Sequence, residues 1–230
     1  MSIYQALVVV ALVICGVPCV ANAQFQGELK LQPKHCEATG QCTLAKKLRF
    51  IDGKGEIWEA AAGLVTDGAS IPGVFQPFVG SPFDESFIRA AIVHDHYCDR
   101  HVKSWRKTHR VFYEALVDQG VAVARAKTMY FAVVVGGPKW IKLIPGKDCG
   151  KGCVNAQKSL SGVAAYRSRA ADYSLPGLPE ELRQVATDLE MNPSALSLEE
   201  LDNRAINFRP NDYYFKNGDV VVVSNPVVTE

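Results

Sequence analysis

From Leu44 to Val65 apolar residues fall into short runs, among them Leu48-Arg49-Phe50-Ile51 and Glu56-Ile57-Trp58, with Asp52-Gly53-Lys54-Gly55 between these two. Short apolar runs on either side of such a turn predict paired β-strands. The following Thr66-Asp67-Gly68-Ala69-Ser70-Ile71-Pro72-Gly73 has turn residues instead of a period. It reads as a loop, because Asp67 can bond its own backbone and Pro72-Gly73 imposes a second bend. Then the period lengthens. Ala90-Ala91-Ile92-Val93-His94-Asp95-His96-Tyr97-Cys98-Asp99-Arg100 predicts a helix whose His94 face carries Phe87, Ala90, Ala91 and Cys98, with His101 next on it if the helix continues. Ser104 suits an N-cap, and after it His109, Phe112, Tyr113, Leu116 and Val117 form an amphipathic stripe ended by Gly120. Val121 to Val135 is apolar nearly all round, the pattern of a buried helix, and stops at Gly136-Gly137-Pro138. Arg125 and Lys127 argue against its crossing a membrane. Further on, the pattern predicts a helix from Pro179 to Leu189 and a short one after Ser197. A terminal strand pair is predicted around Tyr213-Tyr214-Phe215 and Val220 to Val223, turning through Lys216-Asn217-Gly218-Asp219.

These elements describe an α+β fold: a small N-terminal antiparallel sheet or hairpin packed with a bundle of about three helices, plus a mixed C-terminal extension. Residues 24–148 make the core domain and 149–230 the extension, a length that suits one domain with an appendage. Ahead of them, the apolar run from Ala6 to Val20 leads into Ala21-Asn22-Ala23, which fits signal-peptide cleavage before Gln24. The run is short for a membrane span and is interrupted by Pro18. The expected mature chain is therefore periplasmic or secreted, with no transmembrane segment.

Export changes how the cysteines read. In an oxidising compartment Cys36 with Cys42 and Cys149 with Cys153 are economical local disulfides, leaving Cys98 over; the rival is a zinc site built from the same pairs. The net charge is only +1, but it is unevenly spread. From Arg100 to Lys147 the acids are Glu114 and Asp118 alone, while Glu180 onward is rich in carboxylates. A basic face near the histidines could receive an anionic envelope component; alternatively, the acidic tail folds back on it. The chain carries no nucleic-acid motif, phosphate-cradling glycine loop or nucleophile elbow.

The chemistry concentrates around His94. Successive helical residues point about 100° apart, so His94 and Asp95 are not expected to pair with each other. A short connection makes the two helices antiparallel neighbours, which brings His109 towards His94, Asp95 and Cys98. One reading makes His94 a base for water, with His109 on its far nitrogen. Another is a metal site, from His94, Cys98 and His101 on one face or from His94, Asp95 and His109 across two helices. Asp67 could join it from the loop, and imidazole and carboxylate ligands suit zinc.

Thr66-Asp67-Gly68-Ala69-Ser70-Ile71-Pro72, Ala90-Ala91-Ile92-Val93-His94-Asp95, Phe112-Tyr113-Glu114-Ala115-Leu116 and Ala126-Lys127-Thr128-Met129-Tyr130 together resemble a bacterial and phage family catalogued as domain of unknown function 1353. The resemblance runs from about Phe50 to Trp140 and implies no established activity. Many family members have Asp where this chain has His109. A more distant similarity, to secreted calcium-dependent phospholipases, implies His94 as general base, Asp95 as calcium ligand and His109 in place of the acid that orients the base. Tyr97 lies one residue nearer Asp95 than that pattern has it, and no glycine-rich calcium loop is evident.

Two classes of function follow. One is an envelope hydrolase for an ester or phosphate-bearing substrate, with catalytic His94, Asp95 and His109, substrate-binding Ser70, Tyr97 and Arg110, and metal-binding Asp67 and Asp95. The other is a non-catalytic envelope-binding or phage-derived structural module in which the same polar residues only pin the helix pair. The first requires His94 beside an open pocket; the second requires a sealed, hydrogen-bonded cluster.

Overall fold

The computed structural model describes residues 23–68, 83–145 and 165–223. The segment read as a signal peptide, Ser70 and the expected Cys149–Cys153 pair lie outside them. The fold is α+β, as the patterning predicts.

Two small antiparallel sheets open the chain. In the first, β4 (Leu48–Ile51) pairs with β1 (Gln24–Gln26) and β5 (Ile57–Ala60); in the second, β3 (Cys42–Leu44) pairs with β2 (Leu31–Gln32) and β6 (Val65–Thr66). Alternation puts Leu48, Phe50, Trp58 and Ala60 on the buried face of β4 and β5. Asp52 fixes their turn by accepting from the Lys54 and Glu56 amides and from the Trp58 indole at 2.8–2.9 Å. The predicted Cys36–Cys42 disulfide ties β3 to the 3-10 turn before it.

Three helices follow: α1 (Ile88–Arg100), α2 (Trp105–Asp118) and α3 (Val123–Gly136). Ser104 caps α2 as expected, its hydroxyl accepting from the Lys107 amide. At the other end of the pair, the Gln119 side chain accepts from the Ala90 amide in the first turn of α1. α3 is buried over most of its surface.

The C-terminal residues complete the same core. α4 (Leu178–Met191) and α5 (Leu198–Phe208) pack on α3, and Leu182, Val185, Leu189 and Leu201 enter the cluster that holds Phe50 and Trp58. Ser197 and Glu200 form a capping box at the start of α5. A mixed sheet places β7 (Lys139–Pro145) between antiparallel β8 (Ala165–Arg169) and parallel β9 (Val220–Val223).

Here the predicted terminal strand pair is corrected. Tyr213–Lys216 is a helical turn, α6, because Asp212 caps it by accepting from the Tyr214 amide at 2.9 Å. Val220–Val223 is a strand, but it pairs with β7. Among the described residues no helix is long and apolar enough to cross a membrane.

The uneven charge is partly resolved within the molecule. Arg106 meets Asp219 at 2.9 Å and Arg110 meets Asp202 at 3.0 Å, so the acidic C-terminal residues do fold back on the basic face of α2.

Candidate functional site

α1 supplies most of the site. Its apolar positions hold it against β5 and α2, and Tyr97 belongs to that packing: its ring lies edge-on to Trp58 and its hydroxyl accepts from the Glu59 amide at 3.0 Å. Tyr97 therefore faces the core. α1 ends at Arg100, and His101 takes a left-handed conformation with φ 55°, which removes it from the His94 face. Instead its ring stacks on Trp140, 4.7 Å between centroids, while the Trp140 indole donates to the Lys103 carbonyl at 2.7 Å. These contacts fix the tight connection that brings the first turns of α2 back towards His94.

The outcome is a chain of polar contacts from core to cavity. His109, fully buried, donates from Nε2 to the Pro138 carbonyl at 3.1 Å. A carbonyl only accepts, so the proton of neutral His109 is on Nε2 and its Nδ1 is free to accept. His94 Nε2 lies 2.9 Å from that Nδ1 and donates to it. Across the His94 ring, Nδ1 lies 3.2 Å from Asp95 Oδ1. A lone pair facing a carboxylate would repel it, so one proton sits between the two groups.

The expectation that adjacent His94 and Asp95 could not pair is thus corrected. Their Cα–Cβ directions do diverge, yet rotation of both side chains brings ring edge and carboxyl together. The convergence of His109 on His94 follows the amphipathic stripe.

A cavity of about 600 Å³ lies beside this chain. Its wall includes Thr66 and Asp67 from the end of β6, His94, Asp95 and Asp99 from α1, and Arg169 from β8. His101 and Tyr173 also reach it. Exposure falls steeply along the polar chain: the Asp95 side chain is 36% exposed, His94 7% and His109 0%. Asp95 is accordingly the member that meets solvent. Burial pushes its carboxyl above the usual carboxylate range even at this partial exposure; His94 opposes the shift, and Asp99 and Asp67 add to it. Burial drives His109 well below the usual histidine range, aided by the charges of His94 and Lys139, which fits its neutral role. Burial raises the Cys98 thiol, with Asp95 and Asp99 adding to it.

The sequence-designated residues divide. Asp67, His94 and Asp95 line the cavity; His109 stands behind His94. Arg110 lies elsewhere, paired with Asp202 and set over the Tyr130 ring. Three contributors went unnoticed in the sequence. The Pro138 carbonyl has no sequence signal at all. Tyr173 is aimed by close packing on Gly136, where a Cβ would come within 2.5 Å of its ring. Arg169 comes from a strand with little apolar pattern; its Nη1 donates to Asp212 at 2.6 Å, while its buried Nη2 has no hydrogen-bond partner among the described residues.

Comparison with known proteins adds relatives without assigned activities. Over 154 residues the chain is 40% identical to uncharacterized protein y4iH of Sinorhizobium fredii, a match spanning 66% of this chain and 64% of that protein. Over 97 residues it is 37% identical to uncharacterized protein y4jT of the same organism, spanning 42% of this chain and 29% of the relative. The chain thus covers less than two thirds of either relative. No solved structure matches it, and the likeness to phospholipases gains no support from these comparisons. Residues 42–133, which carry Asp67, His94, Asp95 and His109, match the model of the family described as protein of unknown function (DUF1353), the family that their motifs resemble.

Proposed function

We propose that the cavity is a hydrolytic site for an ester or phosphate-bearing substrate of the cell envelope, with Asp95 as its proton-transferring group. The observation that carries this reading is the polar chain Pro138–His109–His94–Asp95, which ends with the carboxyl in the cavity. His94 is the orienting partner: donating from Nδ1, it holds one Asp95 oxygen and leaves the other to take a proton from attacking water. His109 fixes the ring behind it. This reverses the order drawn from the sequence, in which His94 faced the water. Arg169 lines the cavity and supplies a positive charge for an anionic substrate, the need that the basic face of α2 meets only in part. Placement in the envelope draws support from the Cys36–Cys42 disulfide and the apolar start of the chain.

The test is turnover of nitrophenyl esters and phosphate mono- and diesters by the full chain. Wild type is expected to hydrolyse at least one class. Asp95→Asn should lower kcat by roughly 100-fold or more while circular dichroism is unchanged, and Arg169→Gln should raise KM for phosphate-bearing substrates. Absence of turnover across the panel, or full activity in Asp95→Asn, overturns the reading and favours a binding module.

A further inference from the structure

We propose that His94 Nε2, His109 Nδ1 and Cys98 Sγ together bind a zinc-type divalent ion, with a remaining coordination position towards the cavity. The inference names a cofactor for the site read above as hydrolytic, and it rests on that reading only for the use made of the ion.

The three ligand atoms lie within 4.8 Å of one another. Zinc bonds of about 2.0–2.1 Å to nitrogen and 2.3 Å to sulfur require tetrahedral edges of roughly 3.3 Å between nitrogens and 3.6 Å from nitrogen to sulfur. Cys98 Sγ is 3.5 Å from His94 Nε2, at that spacing, but also 3.8 Å from Nδ1, so it stands beside the ring face and must swing outward to share an ion on the Nε2 lone pair. The two ring nitrogens are 2.9 Å apart and must open by a few tenths of an ångström, which slight ring rotations provide.

The atoms behind the ligands argue more strongly. A metal-bound histidine generally donates its other N–H to a carboxylate or a backbone carbonyl, which fixes the tautomer. Both arrangements are present: His109 Nε2 faces the Pro138 carbonyl at 3.1 Å and His94 Nδ1 faces Asp95 at 3.2 Å. Each imidazole thus turns its remaining nitrogen to the shared point between the helices. The ion takes the place of the proton that joins the two rings, and the thiol proton leaves as the third bond forms. The resulting set has no contradiction left in it: both outer nitrogens carry protons, and Asp95 is a carboxylate that accepts one.

Position on the fold supports the assignment. His94 and Cys98 are four residues apart on one face of α1, and His109 comes from the antiparallel α2, so rigid elements hold all three. His94 and Cys98 line the cavity, which leaves the approach for a fourth ligand on that side, as in zinc sites that keep an open position.

The experiment uses the full chain, reduced, stripped with chelator, then dialysed against zinc and read by elemental mass spectrometry. One zinc per chain is expected in wild type, with affinity reduced roughly tenfold or more in His109→Gln, in Cys98→Ser and, through the outer contact, in Asp95→Asn. Cobalt substitution gives an independent readout, because a thiolate-to-cobalt absorption band should appear in wild type and vanish in Cys98→Ser while far-ultraviolet circular dichroism stays unchanged. Failure of wild type to bind zinc at micromolar concentration overturns the inference. So does zinc that survives both Cys98→Ser and His109→Gln, since the chain has other cysteines able to hold it. Zinc bound through these three residues in a protein that hydrolyses nothing would sink the hydrolase alone; turnover by a zinc-free protein would sink only the ion's use in hydrolysis.

Discussion

At the scale of single residues, hydrogen-bond direction decides more here than proximity. The Pro138 carbonyl can only accept, and that one fact orders the protons on His109 and His94 as far as Asp95. His109 was legible because it sits on an apolar stripe, where a histidine needs a partner. Its far partner was not, since a backbone carbonyl carries no residue signature. Lys139, also unforeseen, lies buried next to that carbonyl, donating to the Val135 and Gly137 carbonyls at 3.0 and 3.4 Å. Burial drives its ammonium well below the usual lysine range, with Arg169 adding to the effect. Below the unfolded value of 10.5 and down to its folded value, the unfolded chain holds a proton that the folded chain releases, so this group makes stability rise with pH. Lys139→Met should remove that contribution. Urea midpoints from pH 7 to pH 10, compared between wild type and Lys139→Met, should rise more steeply in wild type; parallel curves would show that Lys139 titrates normally.

At the scale of elements, the helices were legible because their burial follows a period that the sequence displays, and α2 with its Ser104 cap is the clearest instance. The mixed sheet was hidden. β8 reads Ala-Tyr-Arg-Ser-Arg, without apolar alternation, and β9 joins β7 across some 75 intervening residues, a pairing that no local pattern announces. Tyr213–Phe215 misled because aromatic residues favour strands, whereas the Asp212 cap decided for a helical turn. The junction of α3 with this sheet is also where the cavity wall is set. The Gly136 carbonyl accepts from the Asp172 amide at 2.7 Å, and there is no room between Gly136 and Tyr173 for a methyl group. Gly136→Ala should therefore destabilise the fold by about 1–3 kcal/mol, the usual cost of forced overpacking, and displace Tyr173 from the cavity. Thermal unfolding with tyrosine fluorescence checks both. An unchanged melting temperature would mean that the 172–173 segment yields freely.

At the scale of the whole molecule, the C-terminal third is joined to the helix core by apolar packing, and one buried carboxylate ties that third together internally. Asp212 has a fully buried side chain and binds Arg169 of β8 at 2.6 Å and Arg209 beyond α5 at 3.1 Å, besides capping α6. Burial raises its pKa, but the Arg169 bond, the Tyr214 amide and both guanidinium charges outweigh that, and the carboxyl settles below its ordinary value. Stability from a depressed carboxylate is complete above the unfolded value of 3.8 and is lost as pH falls through the folded one. Asp212→Asn keeps a capping oxygen yet removes the charge, leaving two arginines near each other. About 2–4 kcal/mol should be lost at neutral pH, the lower part of that range being favoured by the partial exposure of both arginines. Arg169, which lines the cavity, would also lose its anchor on Asp212, so the phosphate-ester turnover proposed above should weaken with stability. Because the apolar cluster runs continuously from Phe50 to Leu201, unfolding of this variant should remain a single transition, only shifted to lower denaturant. Urea titrations at pH 7 and pH 3, followed by near- and far-ultraviolet circular dichroism, provide the check. The gap between wild type and Asp212→Asn should narrow at the lower pH, while two separate transitions at pH 7 would mean that the C-terminal region folds as its own unit.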